Sequence, residues 1–143
     1  MKISLIFLFS VLPTSLYADG YRCTGENFNA RLYNYVNRAE GTKNPAVLIV
    51  SENLEEKGNH TIARLEGDEI EKVLSLKTVA FEGQVNSSQT GRFVFVRLEV
   101  NKRPYAVLHT RSNFKELYHA NLIVNRDGAS THEEMLCTRY RKK

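Results

Sequence analysis

Apolar and polar residues alternate along much of this chain with a period of two. In FVFVRLEV, Val94, Val96, Leu98 and Val100 share one face, and Phe93, Phe95, Arg97 and Glu99 the other. FNARLYNYV sets Phe28, Ala30, Leu32 and Val36 against Asn29, Arg31, Tyr33 and Tyr35, while YHANLIV groups Tyr118, Ala120, Leu122 and Val124. Successive side chains of a strand point to opposite faces, so this alternation is that of half-buried antiparallel strands. PAVLIVS is apolar on both faces and predicts a central, well-covered strand. Eight such runs are legible, at 27–36, 45–51, 60–66, 73–82, 93–100, 105–111, 116–125 and 131–140. Polar clusters with glycine separate them, and Asp127-Gly128 and Lys102-Arg103-Pro104 are the tightest turn signals. Two stretches also suit a short helix: GDEIEKVLSLK, through Ile70, Val73, Leu74 and Lys77, and SNFKEL, with Ser112 as its N-cap.

The first eighteen residues, MKISLIFLFSVLPTSLYA, stand apart from this pattern. Lys2 gives a positive start, Ile3 to Leu12 an apolar run, and Pro13 a break before small and polar residues that end at Ala18. That is the layout of a secretory signal peptide, and the run is shorter than the roughly 20 residues that span a bilayer. No later stretch is apolar enough to span one. The expectation is an exported protein, periplasmic or secreted, with residues 1–18 as signal and 19–143 as a single β-domain. Without the first 18 of 143 residues, 125 remain, enough for one modest core.

The only cysteines, Cys23 and Cys137, flank the whole pattern. An oxidising compartment and two thiols permit one disulfide, which would set the first and last elements side by side. A meander of eight strands leaves its first and last members as bare edges unless the sheet closes. The predicted fold is therefore an all-β antiparallel barrel of about eight strands closed by one terminal disulfide, with a β-sandwich as the alternative. Ala30, Ala106 and Ala120 on inward faces fit a narrow, filled interior.

Charge adds little. Lys and Arg number 20 against 16 acids, and only RYRKK concentrates them. There is no basic stripe of the kind that grips nucleic acid. The four histidines, His60, His109, His119 and His132, show no close metal-ligand spacing, and a zinc site needs three or four ligands. No Gly-x-Ser-x-Gly or glycine-rich phosphate loop occurs, so no catalytic residue, metal or cofactor is implied. NHT at Asn59 and NSS at Asn86 match the N-glycosylation acceptor triplet, which predicts exposed loops there.

Aromatic residues on nominally polar faces are more informative. Arg31, Tyr33 and Tyr35 lie opposite Phe28 and Leu32; Phe93, Phe95 and Arg97 lie opposite Val94 and Val96; Tyr105 follows across the NKRP turn. Large apolar area mixed with arginine is enriched at interfaces. These seven residues form the candidate partner surface, unless a second packing layer covers them. The function this favours is a noncatalytic binding module for a protein or an apolar ligand. The alternatives are a hydrolase or metal-dependent enzyme built from scattered His and Glu residues, and a structural envelope component.

Tyr21, Cys23 and the late Cys137 resemble the corresponding residues of periplasmic inhibitors of C-type lysozyme, without the Ser-Gly-x-x-Tyr segment of their inhibitory loop. DGYRCTGENFNARLYNYV and NPAVLIVSE look like exported proteins of uncharacterised function from predatory Gram-negative bacteria. The first resemblance implies an inhibitor of an envelope enzyme, and the second implies export alone.

Overall fold

In the computed structural model, residues 18–35, 46–54, 58–86, 92–109 and 114–141 are described. The alternating runs form ten strands: β1 (Ala18–Thr24), β2 (Phe28–Tyr35), β3 (Ala46–Leu54), β4 (Gly58–Glu66), β5 (Glu71–Leu74), β6 (Thr78–Asn86), β7 (Phe93–Asn101), β8 (Ala106–His109), β9 (Phe114–Arg126) and β10 (Ala129–Arg141). All belong to one sheet in the order β4-β3-β2-β1-β10-β9-β7-β6-β5, with β8 alongside β9 beyond the end of β7. Every pairing is antiparallel.

Two features of the strand list depart from the sequence reading. ADGYRCT is itself a strand, and the run 73–82 is two strands parted by a turn at Ser75–Lys77. That turn is fixed locally: the Ser75 amide donates to the Thr78 carbonyl at 3.0 Å, and the Thr78 amide donates to Ser75 Oγ at 3.1 Å. Of the two helix candidates, the first yields one 3-10 turn at Gly67–Glu69 before the chain extends again into β5. In the second, Ser112 lies outside the described residues and Phe114 already begins β9. Ala18 pairs with Tyr35 inside β1, while residues 1–17 lie outside the described residues. Asp127 and Gly128, with φ of 54° and 80°, form the two-residue turn between β9 and β10, as an Asp-Gly pair favours.

The disulfide forms as expected, between residues directly opposite each other in the β1–β10 ladder, and both cysteines are fully buried. What it joins differs from the expectation. β1 and β10 lie in the middle of the sheet, and the margins are β4 and β5. The structure is neither the closed eight-stranded barrel nor a sandwich of two sheets: it is one open sheet.

The reason is parity. Among the described residues nine strands lie on the hydrogen-bonded path, and antiparallel neighbours alternate in direction, so the two end strands run the same way. A ring of antiparallel pairs needs an even number. β4 and β5 could meet only as a parallel pair, which requires a crossover of a dozen or more residues. Only Gly67–Ile70 separates them.

The sheet nevertheless curls until β4 packs against β6 and β7 without pairing to either. The concave face carries the core: Phe28, Ala30, Leu32, Leu48, Val50, Leu65, Val96, Leu98, Tyr118, Leu122, Val124 and Met135 are all buried. The alternation in β2, β7 and β9 reads correctly onto this face; of the three inward alanines, Ala30 and Ala120 are buried and Ala106 is half-buried. β3 is not central, since only β4 separates it from solvent.

Glu133, on β10, closes one end of this core. Its carboxylate accepts hydrogen bonds from the Asn27 amide (3.0 Å), the Asn27 side chain (3.0 Å) and the Phe28 amide (2.9 Å), so the β1–β2 turn wraps around it. Gly25 leaves the space, because a Cβ there would overlap the carboxylate. Hydrogen bonds to a charged group contribute about 1.5–3 kcal/mol, and backbone donors left bare lose more. Glu133→Ala is expected to cost about 2 kcal/mol in urea unfolding. Glu134→Ala, on the exposed opposite face, is expected to fall within about 0.5 kcal/mol of the parent.

Candidate functional site

A cleft of about 510 Å³ lies between β4 and the start of β7, at one end of the open seam. Strand pairing places its walls. His60, Thr61 and Ile62 come from the margin strand β4, Phe93 and Val94 from the start of β7 with Arg92 just before it, Arg126 from the end of β9 and Asp127 from the β9–β10 turn. Glu52 of β3 lies opposite Phe28 of β2. The Arg126 guanidinium meets the Glu52 carboxylate with two hydrogen bonds of 3.2 and 3.1 Å and stands 5.9 Å from the centre of the Phe28 ring. Two-point pairing of this kind fixes the orientation of the guanidinium plane as well as its position. A second pair, Arg92 to Asp127 at 3.1 Å, spans the outer lip.

Phe93 stands between these pairs. It occupies the outward face of β7, lies 61% exposed, and lines both this cleft and a neighbouring groove formed with Gln84, Phe95, Asn125 and Gly128. An apolar ring at that exposure, framed by two arginines and two carboxylates, offers shape, apolar area and directional charge together.

The seven aromatic and arginine residues singled out in the sequence do not form one surface. Arg31, Tyr33 and Tyr35 belong to β2, and Phe93, Phe95 and Arg97 to β7, with β1, β10 and β9 between them. Arg31 is exposed and Tyr33 half-buried on the outer face of β2; Tyr35 is placed by its backbone alone. Arg97 is held in the sheet by Glu82 at 2.7 Å and Glu99 at 3.1 Å. Phe95 is half-buried between Gln84 and Asn125 of the adjacent strands. Tyr105 stacks on His119, with ring centres 4.2 Å apart. Of the six whose side chains are described, Phe93 alone lines the cleft.

Sequence reading missed Arg92, Arg126 and Glu52. Glu52 and Arg126 are 74 residues apart, and no local pattern marks two strand ends that meet only when the sheet curls. The histidines remain dispersed: His60 on β4, His109 on β8, His119 on β9 and His132 on β10. Among the described residues no three His, Cys, Asp or Glu side chains gather as a metal site would require, and no helix is long and apolar enough to cross a membrane. Asn59 and Asn86 fall at strand ends rather than in loops, and Asn59 accepts a hydrogen bond from the Asn29 side chain. Comparison with protein-family models, curated proteins and solved structures finds no match.

Proposed function

We propose that this protein is a noncatalytic exported binding module that takes a segment of another protein into the seam cleft, with Phe93 as the anchor. The exposure of Phe93 at the lip, between Arg92 and Arg126, carries the reading. Aromatic residues and arginines dominate the binding energy of protein interfaces when a partner covers them. A protein is favoured over a small apolar ligand because the concave face is occupied by the protein's own side chains. That leaves the ligand a rim lined by Glu52, His60, Arg92, Arg126 and Asp127. Small-molecule pockets are mostly apolar with few polar groups, whereas this cleft mixes Ile62, Phe93 and Val94 with the charged Glu52, Arg92, Arg126 and Asp127.

Phe93→Ser tests it. The residue contributes little to the core, so the free energy of unfolding should stay within about 0.5 kcal/mol of the parent. A partner retained from envelope extract by the parent protein should bind the variant at least about tenfold more weakly by calorimetry, the loss expected of an anchor residue. Equal affinity would remove Phe93 from the site. If His109, His119 or His132 substitutions abolished a hydrolytic activity instead, the enzyme reading would replace this one.

A further inference from the structure

The opposite end of β7 carries a second surface of different chemistry. Phe93 and Asn101 are the two ends of this nine-residue strand, roughly 26 Å apart at strand rise. At the far end the β5–β6 turn and the segment after β7 lie together, joined by the Lys102 amide donating to the Lys77 carbonyl at 2.8 Å. Leu76, at the tip of the first turn, is 91% exposed, and Leu74 beside it 65%. Leu76, Lys77, Asn101, Lys102 and Arg103 line one depression of about 520 Å³.

Residues 72–78 and 101–105 contain Lys72, Lys77, Lys102 and Arg103 and no carboxylate. None of these four cations enters an ion pair with a described residue. Tyr105, 48% exposed, borders the same segment. The leucines are not loose ends: the Ser75–Thr78 hydrogen bonds and the tie to Lys102 hold the tip in a set shape.

We propose that this end docks on the surface of an anionic phospholipid bilayer, with Leu74 and Leu76 inserted at the boundary between headgroups and acyl chains. Charge complementarity selects the occupant. Clustered Lys and Arg are drawn to an anionic leaflet, while a few apolar side chains and a tyrosine at headgroup depth supply insertion. Of the residues lining the depression Leu76 alone is apolar and Lys77, Lys102 and Arg103 are cations, the reverse of a protein-interface core, from which charge and lysine above all are depleted. A bilayer needs no matching relief.

The test is cosedimentation of the full exported chain with vesicles of phosphatidylglycerol and phosphatidylcholine, against vesicles of phosphatidylcholine alone. Binding at least about tenfold stronger to the anionic vesicles, falling steeply as salt is raised, is the expected result. Leu76→Asp should weaken it about tenfold or more, and so should the charge reversal Lys102→Glu with Arg103→Glu. Phe93→Ser should leave it unchanged, which separates this surface from the cleft. The proposal is overturned if neutral and anionic vesicles bind alike, or if both tip variants bind as the parent does. It is also overturned if sedimentation velocity shows the parent pairing with a second copy through Leu76 and leaving vesicles untouched.

Discussion

Replacing Cys23 and Cys137 together by alanine should lower the free energy of unfolding by about 3–5 kcal/mol in urea titrations under oxidising conditions. The sequence separation of 114 residues sets the upper figure. Closing a loop of that length removes about 5 kcal/mol of chain entropy from the unfolded ensemble, less whatever compactness that ensemble retains. Topology explains why so much rests on one bond. β1 to β4 form one meander and β5 to β10 the rest, and among the described residues the β1–β10 ladder is the sole hydrogen-bonded strand pairing between them. Around it, the Glu133 carboxylate holding the β1–β2 turn and the Arg126–Glu52 pair are side-chain ties across the same divide. The bond therefore staples two half-sheets at their common boundary. A loss below about 1 kcal/mol would mean that the ladder and its side-chain ties hold the halves unaided.

That boundary was legible in the sequence, and the shape it produces was not. Period-two alternation in β2, β7 and β9 assigns the core face residue by residue, because one buried face fixes strand register. Two cysteines with one possible partner each place the chain ends together. Closure turns on whether the strand count is odd or even, and small local features decide that. DGYRC alternates too weakly to stand out as a strand, with Gly20 beneath the Leu32 carbonyl and Cys23 as its buried member. SLK at 75–77 looks like the middle of an apolar run, but hydrogen bonds between Ser75 and Thr78 make it a turn. AVLH counts as a strand yet sits beyond β7 on the same side of β9 and adds nothing to the path. An even count of eight becomes an odd path of nine, and a ring becomes a sheet with a seam. The cleft depends on that seam, so its charged lining was out of reach of any reading that closed the sheet. Phe93 was found because an exposed aromatic on a polar face is a local signal; Arg126 and Glu52 are ordinary charged residues until the curl brings them together.

Gly83→Ala is expected to destabilise the protein by about 3 kcal/mol, far more than an added methyl group ordinarily costs. Gly83 sits on β6 against the end of β4 and the turn that follows it. A Cβ there would overlap both the Glu69 carbonyl oxygen and a methyl group of Leu65. Relief means moving a core side chain or a hydrogen-bonded turn. Leu65 is fully buried. Glu69 ends the 3-10 turn, which is held by its own carboxylate accepting from the Glu66 amide at 2.8 Å and by the Ile70 amide donating to the Gly67 carbonyl at 3.1 Å. Overpacking that must move backbone lies at the upper end of the 1–3 kcal/mol range. The comparison that isolates this effect is Gly58→Ala. Gly58 has φ of 72° and nothing within 4 Å of an added Cβ, so it carries only the left-handed backbone strain of about 1–2 kcal/mol. Urea midpoints for the two variants should therefore rank Gly83→Ala as clearly the worse. The same methyl group should also prise β4 from β6, so amide exchange along β4 and β6 should quicken in Gly83→Ala by more than the loss of global stability accounts for, and in Gly58→Ala by no more than that loss. If the two substitutions cost the same and exchange alike, the close approach of β4 to β6 is not what holds the curl, and the cleft at the end of the seam loses its physical basis.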